Sequence, residues 1–490
     1  MNAEVDLNNK EYMKERAETA MMIAARLLEL NYPTEARAFV SLAARIDFNV
    51  VQIFSYGSNI KLRILAANEV VLHTRRGKEI GRPCAILGSA GPTLEPGKEA
   101  FIRSIFDQHQ DGFAQFRVAL PQFSGLYGNY ADAEPNEGRP IKVLLILARY
   151  INAHPGFMES DIFHHFKNSP AQVGLSTHVF EADALLYDMP ARYPFKEEEI
   201  AEARRKLDEA LALFQPDVIV FEGNFFPTDR TVNPSWLHAA RQRYGSKIVA
   251  IVADCYDAAQ DVYGAWAEAS DRLVIFNRET TYTHTSGHRG KAFVAASVPF
   301  DETAFAVSDG DKNTDMVIVG HNSRERGDLL AMLQAYEVPI SPYLHSRLSD
   351  NAPDLQEYGK LLRESRLTYN TGRIHGTSSF SVLTGRCFES ILSKTVLLEE
   401  VGSGITDYFL PFVHYVPYAN CTQLVMFSQF LLKNDDYRRR IADQAYAWHR
   451  QRYTPRHFWG ALLKSLGLPS GLPKTGARAG VAVLAEVGAG

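Results

Sequence analysis

From Lys142 onward, short unbroken apolar runs alternate with helical patterns, and this constrains the fold more than any other feature of the chain. The runs are Lys142–Leu147, Thr177–Phe180, Asp217–Phe221, Lys247–Ala253, Arg272–Phe276 and Ala292–Val298. A strand that is apolar at consecutive positions has no solvent face, so it belongs in a parallel sheet covered by helices on both sides. Asp161–Asn168, Glu197–Leu213 and Ser235–Tyr244 supply helical periodicity between the runs. A second series follows at Asp315–Gly320, Val338–Leu344, Leu367–Asn370, Thr395–Glu399 and Val413–Pro417. Its helices are expected at Arg326–Tyr336, Leu355–Ser365 and Leu383–Ser393. The fold class is therefore α/β: two Rossmann-like, doubly wound units with a cleft between them.

A chain of 490 residues exceeds what one core accommodates. The expected division is an N-terminal α+β extension at 1–138, a first wound domain at 139–305, a second at 306–468 and a disordered tail at 469–490. The extension opens with a helical hairpin over 10–46, broken at Asn31-Tyr-Pro33-Thr34, and continues as short strands, turns and an Ile102–His109 helix. It reads as a packing or homo-oligomerisation module or as a partner-recognition element. The long helix Tyr437–Arg452, with Trp459 just beyond, closes the ordered chain.

A net charge of −5 argues against a nucleic-acid partner. Four scattered cysteines (Cys84, Cys255, Cys387, Cys421) form neither a disulfide framework nor a zinc pattern, which points to a reducing, cytoplasmic setting. The first apolar helix, interrupted by Arg26 and Glu29, falls short of the ~20 residues a membrane span needs. No signal peptide or transmembrane segment is expected.

Candidate chemistry gathers where strands end. Gly320-His-Asn-Ser-Arg324-Glu-Arg326 leaves a buried strand and opens a helix, a geometry that captures anions or simply connects two elements. Gly376-Thr-Ser378-Ser precedes the helix bearing Arg386, where its hydroxyls bind phosphate or cap the helix. Arg386 and Glu389, three apart, share a helix face, as a surface ion pair or as ligand contacts. Asn370, Glu399 and Glu400 end strands; one of the two glutamates is expected toward the ligand and the other toward solvent. On the first side, Tyr150 to Gly156 forms a lip carrying His154, a base, a sugar ligand or an ordinary loop histidine. Glu222-Gly-Asn224 and Asp254 also follow strands, and Asp254 is either a general base or a cap. His164-His165 and the His284/His288 pair lack a third ligand and are read as surface positions. Asp309-Gly-Asp311 sits in a polar linker and is rejected as a metal motif.

The stretch Arg363 to Asn420, with Gly385-Arg-Cys-Phe-Glu389, Lys394 to Glu400, Asp407-Tyr-Phe409 and His414 to Tyr418, resembles the C-terminal half of GT-B glycosyltransferases, in particular the spore-maturation CgeB-like family of glycosyltransferase group 1. The resemblance covers about residues 140–465 and is clearest from 315 to 460. It implies sugar transfer from a nucleotide-sugar donor to an unidentified acceptor, with no obligatory metal or cofactor. It further implies Gly320 with a downstream arginine (Arg324 or Arg326), Arg386 and Glu389 as donor-binding residues, Glu389 on the ribose hydroxyls, and Asp254 as general base; position at strand and helix ends adds Asn370, Ser378 and Glu399 on the donor side and His154 as a second catalytic group. Retaining relatives with two glutamates eight apart would place the first at Ser381, which has no carboxylate. Two alternatives stand beside this reading: a sugar-nucleotide epimerase on the same fold, and a non-catalytic interaction module.

Overall fold

In the computed structural model the described residues are 94, 96–115, 139–187, 194–225, 227–228, 230–252, 260–276, 289–295, 297–306, 312–322, 324–345, 352–371, 383–401 and 403–469. The helical hairpin over 10–46, the strands expected before residue 94, the Asp309–Asp311 motif, the His284/His288 pair and the tail beyond 469 lie outside them.

The first sheet contains β1 (Lys142–Leu147), β2 (Ser176–Glu181), β3 (Val218–Glu222), β4 (Lys247–Val252), β5 (Arg272–Ile275) and β6 (Ala292–Val294). All its pairings are parallel, in the order β2-β1-β3-β4-β5-β6. Its helices are α2 (Asp161–Gln172), α3 (Asp183–Leu186), α4 (Glu197–Phe214), α5 (Pro234–Tyr244) and α6 (Gln260–Ala269), numbered after α1 (Pro96–Gln115). The second sheet contains β7 (Thr314–His321), β8 (Ser341–His345), β9 (Ser365–Asn370), β10 (Val396–Glu400) and β11 (Val416–Tyr418), again parallel, in the order β11-β10-β9-β7-β8. Around it lie α7 (Glu302–Phe305), α8 (Arg324–Ala335), α9 (Leu355–Arg363), α10 (Gly385–Leu392), α11 (Cys421–Lys433), α12 (Asp435–Arg452) and α13 (Pro455–Ser465). Two parallel sheets, each alternating with helices, make up the described α/β fold, as the apolar runs predict.

Continuous apolar strands account for the layering. Along β1, Leu144 and Ile146 enter one core while Val143, Leu145 and Leu147 enter the core on the opposite face. In the second sheet Met316, Ile318, Leu367 and Leu398 face α11, and Val317, Val319 and Leu397 face α9 and α10. Helix α1, from the expected extension, packs on this second sheet: the Phe106 ring lies 5.3 Å from both Phe412 and Phe430.

The resemblance places the long closing helix Tyr437–Arg452 against the first domain; instead this helix, α12, stays with the second sheet, through Ala445 and Trp448. The element that returns to the first sheet is α13, where Phe458, Trp459, Leu462 and Leu463 join the β1–β3–β4 core. Trp459 Nε1 donates to Ser169 Oγ of α2 at 3.1 Å. Thr454 and Pro455 mark the start of α13, and burying its apolar face contributes roughly 1.5–3 kcal/mol per large side chain. No helix among the described residues is long and apolar enough to cross a membrane.

The strand orders place the site. Each sheet is wound outward in two directions from its first strand, with reversals between β1 and β3 and between β7 and β9. Ligands settle outside the strand carboxyl ends at such reversals. There the β1–α2 loop, the β7–α8 loop and the start of α10 meet.

Candidate active site

Between the sheets lies a cleft of about 390 Å³. From the second sheet it is lined by Val319, Gly320 and His321 at the end of β7, Arg326 on the first turn of α8, Leu355 and Tyr358 of α9, and Thr384 to Arg386, Phe388 and Glu389 at the start of α10. From the first it is lined by Ile151, Met158, Asp161, Ile162 and His165.

Gly320 is the pivot of the second-sheet wall. Its φ of 128° lies where side-chain-bearing residues are strained, and a β-carbon there would stand 2.7 Å from Arg386 Nη2 and 3.0 Å from Arg326 Nη1. Two guanidiniums thus converge on one glycine at a strand's carboxyl end. Arg326 donates to the His321 carbonyl at 2.8 Å. Arg386 donates to the Val319 carbonyl and to Asn370 Oδ1, the latter at 3.2 Å. The buried Arg386 Nε has no acceptor among the described residues. Burial, together with the Arg386 charge, lowers Arg326 to about 10. Two partly desolvated like charges side by side favour a polyanionic ligand. The first turn of α10 adds N–H groups: the Thr384 hydroxyl is engaged by Asn370 Nδ2 at 2.9 Å and makes no cap hydrogen bond.

Asn370 and Glu399 lie behind this wall. Both are fully buried, and Asn370 Nδ2 donates to Glu399 Oε2 at 2.9 Å while its Oδ1 receives Arg386. Burial pushes the Glu399 carboxyl up to about 8, against hydrogen bonds from Asn370, Ser403 and Cys387. One of Glu399 and Glu400 is expected to face solvent, but Glu400 is buried too.

Glu389 is only 4% exposed. Tyr358 donates its hydroxyl to Oε2 at 2.7 Å, and His165 Nε2 lies 3.2 Å from Oε1. The Asp301 backbone N–H donates to His165 Nδ1 at 3.2 Å, so in the neutral ring Nδ1 is the acceptor and Nε2–H donates to Glu389. One carboxylate therefore joins the α2 helix of the first sheet to α9 and α10 of the second. The expectation of a surface ion pair between Arg386 and Glu389 fails for this reason. So does the surface reading of His165, which is 1% exposed. Its neighbour His164 is half-buried against Glu159, Nε2 to Oε2 2.7 Å.

Asp161 stands one helical turn before His165 on α2 and lines the cleft. Desolvation, and next the Glu389 charge, raise its carboxyl above the ordinary range, while it stays reachable from solvent. Sequence reasoning missed Asp161 and His165; their i,i+4 spacing at the start of the first cleft-side helix was the available signal.

His154 lies outside the cleft lining, with Nδ1 accepting the Gly156 N–H at 2.9 Å and the ring tilted against Phe157. Glu222 is buried and accepts the Ala148 N–H at 3.2 Å. Asp254, Ser378 and the Arg324 side chain lie outside the described residues. Cys387 and Cys421 are buried.

Residues 340–464, in the second half, match the family model described as "Glycosyl transferase-like". No curated protein matches the sequence. Similar solved structures include Anabaena HepE in complex with UDP-glucose, at 11% identity and TM-score 0.47 over 66% of this chain and 100% of that one. Sucrose-phosphate synthase from Thermosynechococcus elongatus aligns at 12% identity and TM-score 0.44 over 67% and 97%. A glycosyltransferase from Rickettsia africae aligns at 9% identity and TM-score 0.43 over 67% and 98%.

Proposed function

We propose that the protein transfers a sugar from a nucleotide-sugar donor to a hydroxyl acceptor, with the donor diphosphate held at Gly320, Arg326 and Arg386. The observation that carries this reading is the convergence of two guanidiniums on Gly320 beside the uncapped start of α10, the helix and Arg386 coming from the stretch that matches the glycosyl transferase-like model. In the reaction, the acceptor oxygen forms a bond to the anomeric carbon and the bond from that carbon to the diphosphate oxygen breaks. The electron pair leaves with the diphosphate, whose growing charge the two arginines and the helix N–H groups receive. These fixed charges meet that need without an obligatory metal. The acceptor proton passes to Asp161, whose raised proton affinity makes it a stronger base than an ordinary aspartate.

Glu389 is the donor-side carboxylate of this reading, at the place the CgeB-like resemblance gives to ribose recognition. Because Tyr358 and His165 now occupy its oxygens, a ribose diol would take over one of these hydrogen bonds. Asn370 and Glu399 act through Arg386, by holding its guanidinium in position.

Nucleotide-dependent thermal shift and donor turnover against a panel of UDP-, GDP- and TDP-sugars test the proposal. The expected product is free nucleoside diphosphate with a new glycoside, rather than an epimerised sugar nucleotide. The expected result is a shift with one nucleotide that Arg386→Ala abolishes. Folded protein that responds to no nucleotide, or an Arg386→Ala variant that responds as the native chain does, would overturn it.

A further inference from the structure

The wall of the cleft that the first sheet supplies, opposite Gly320, Arg326 and Arg386, has a chemical character of its own. Ile151 and Met158 are held side by side, the Ile151 N–H donating to the Met158 carbonyl at 3.0 Å across the β1–α2 loop. Ile162 follows on the first turn of α2, and Phe276 and Val298 come from the ends of β5 and β6. All five line the cleft, and four of them keep part of their surface open. Besides His165, which is committed to Glu389 and Asp301, the polar side chains on this wall among the described residues are Asp161 and Ser297.

A saccharide acceptor carries a hydroxyl on nearly every carbon, and each one buried against this wall without a partner would weaken binding by about tenfold. An alcohol with an apolar body has the converse requirement: a hydrophobic wall and one polar group at its hydroxyl. We infer that the acceptor is an apolar alcohol or phenol, its body against Ile151, Met158, Ile162, Phe276 and Val298 and its single hydroxyl at Asp161. The inference rests on the transferase reading above and narrows it from hydroxyl acceptors at large to one class.

The full-length protein is incubated with the same donor panel and either 1-decanol and 4-nitrophenol or maltose and cellobiose, and glycosylated products are read by mass spectrometry. Transfer to the apolar acceptors at least about tenfold faster than to the disaccharides is expected. Ile162→Ser and Met158→Ser are expected to lower kcat/KM for the apolar acceptor by about tenfold or more. A nucleotide thermal shift is recorded in parallel. If the protein binds nucleotide yet glycosylates the disaccharides preferentially, or neither class, the acceptor assignment is overturned while the donor-binding reading stands. If no nucleotide binds and no donor turns over, the transferase reading itself falls, and this assignment with it.

Discussion

Replacing Glu399 by glutamine should remove a pH dependence of stability that the native chain carries between pH 5 and 8.5. The carboxyl is fully buried, and burial pushes it up to about 8 from the 4.5 of a free glutamate. The folded state therefore holds this proton more tightly than the unfolded chain. Its contribution is present below the unfolded value and is lost as pH rises through the folded one. At 1.36 kcal/mol per unit, a gap of about 3.5 units amounts to about 5 kcal/mol, of which about 4 kcal/mol falls between pH 5 and 8.5. No screening discount applies, because water does not reach the group. Glutamine keeps an oxygen to accept from Asn370 and places an N–H₂ where the protonated carboxyl would donate. Urea unfolding followed by tryptophan fluorescence, at several pH values in native and Glu399→Gln proteins, measures the difference directly. Other titrating groups, including the buried histidines His414 and His449, are common to both and cancel. The stability of the native protein relative to the variant should fall by about 4 kcal/mol from pH 5 to 8.5. A difference that stays flat across that range would refute the reasoning and show that Glu399 is already ionised at pH 5.

Three further outcomes are expected. Gly320→Ala strains the backbone and drives a methyl into both guanidiniums, so nucleotide affinity, read by titration calorimetry, should fall about tenfold or more, with a lowered Tm. Arg386→Ala removes a charge-assisted contact of about 1.5–3 kcal/mol, a loss of roughly 10- to 150-fold in nucleotide binding that should shrink at high salt. Asp161→Asn should lower kcat by about 10²–10⁴-fold with a much smaller change in donor affinity; unaltered kcat would remove Asp161 from the proton-transfer role.

The two-sheet fold was legible because strands buried on both faces leave an unmistakable texture: β1 runs from Lys142 to Leu147 as its apolar run does. Strand ends shifted by a few residues where the apolar signal fades, as at β8, which starts at Ser341 rather than Val338. The site was legible on one side only. Gly320, Arg326, Arg386 and Glu389 sit next to strand ends and helix starts, so local spacing pointed to them. His165 and Asp161 acquire their meaning from Glu389, 224 residues on from His165, and no local pattern carries such a contact. Helix α13 was hidden for a related reason: α12 has the longer periodicity, and only the assembled first core shows that Phe458 and Trp459 belong to it.

That last helix has a practical consequence. Because α13, the last of the described helices, completes the core built on the first sheet, the two halves interlock like links rather than beads. A fragment cut between residues 301 and 313 would present the bare seat of Trp459 to water, and its counterpart would end in an orphaned greasy helix. Each piece should be insoluble alone and recover when the two are produced together.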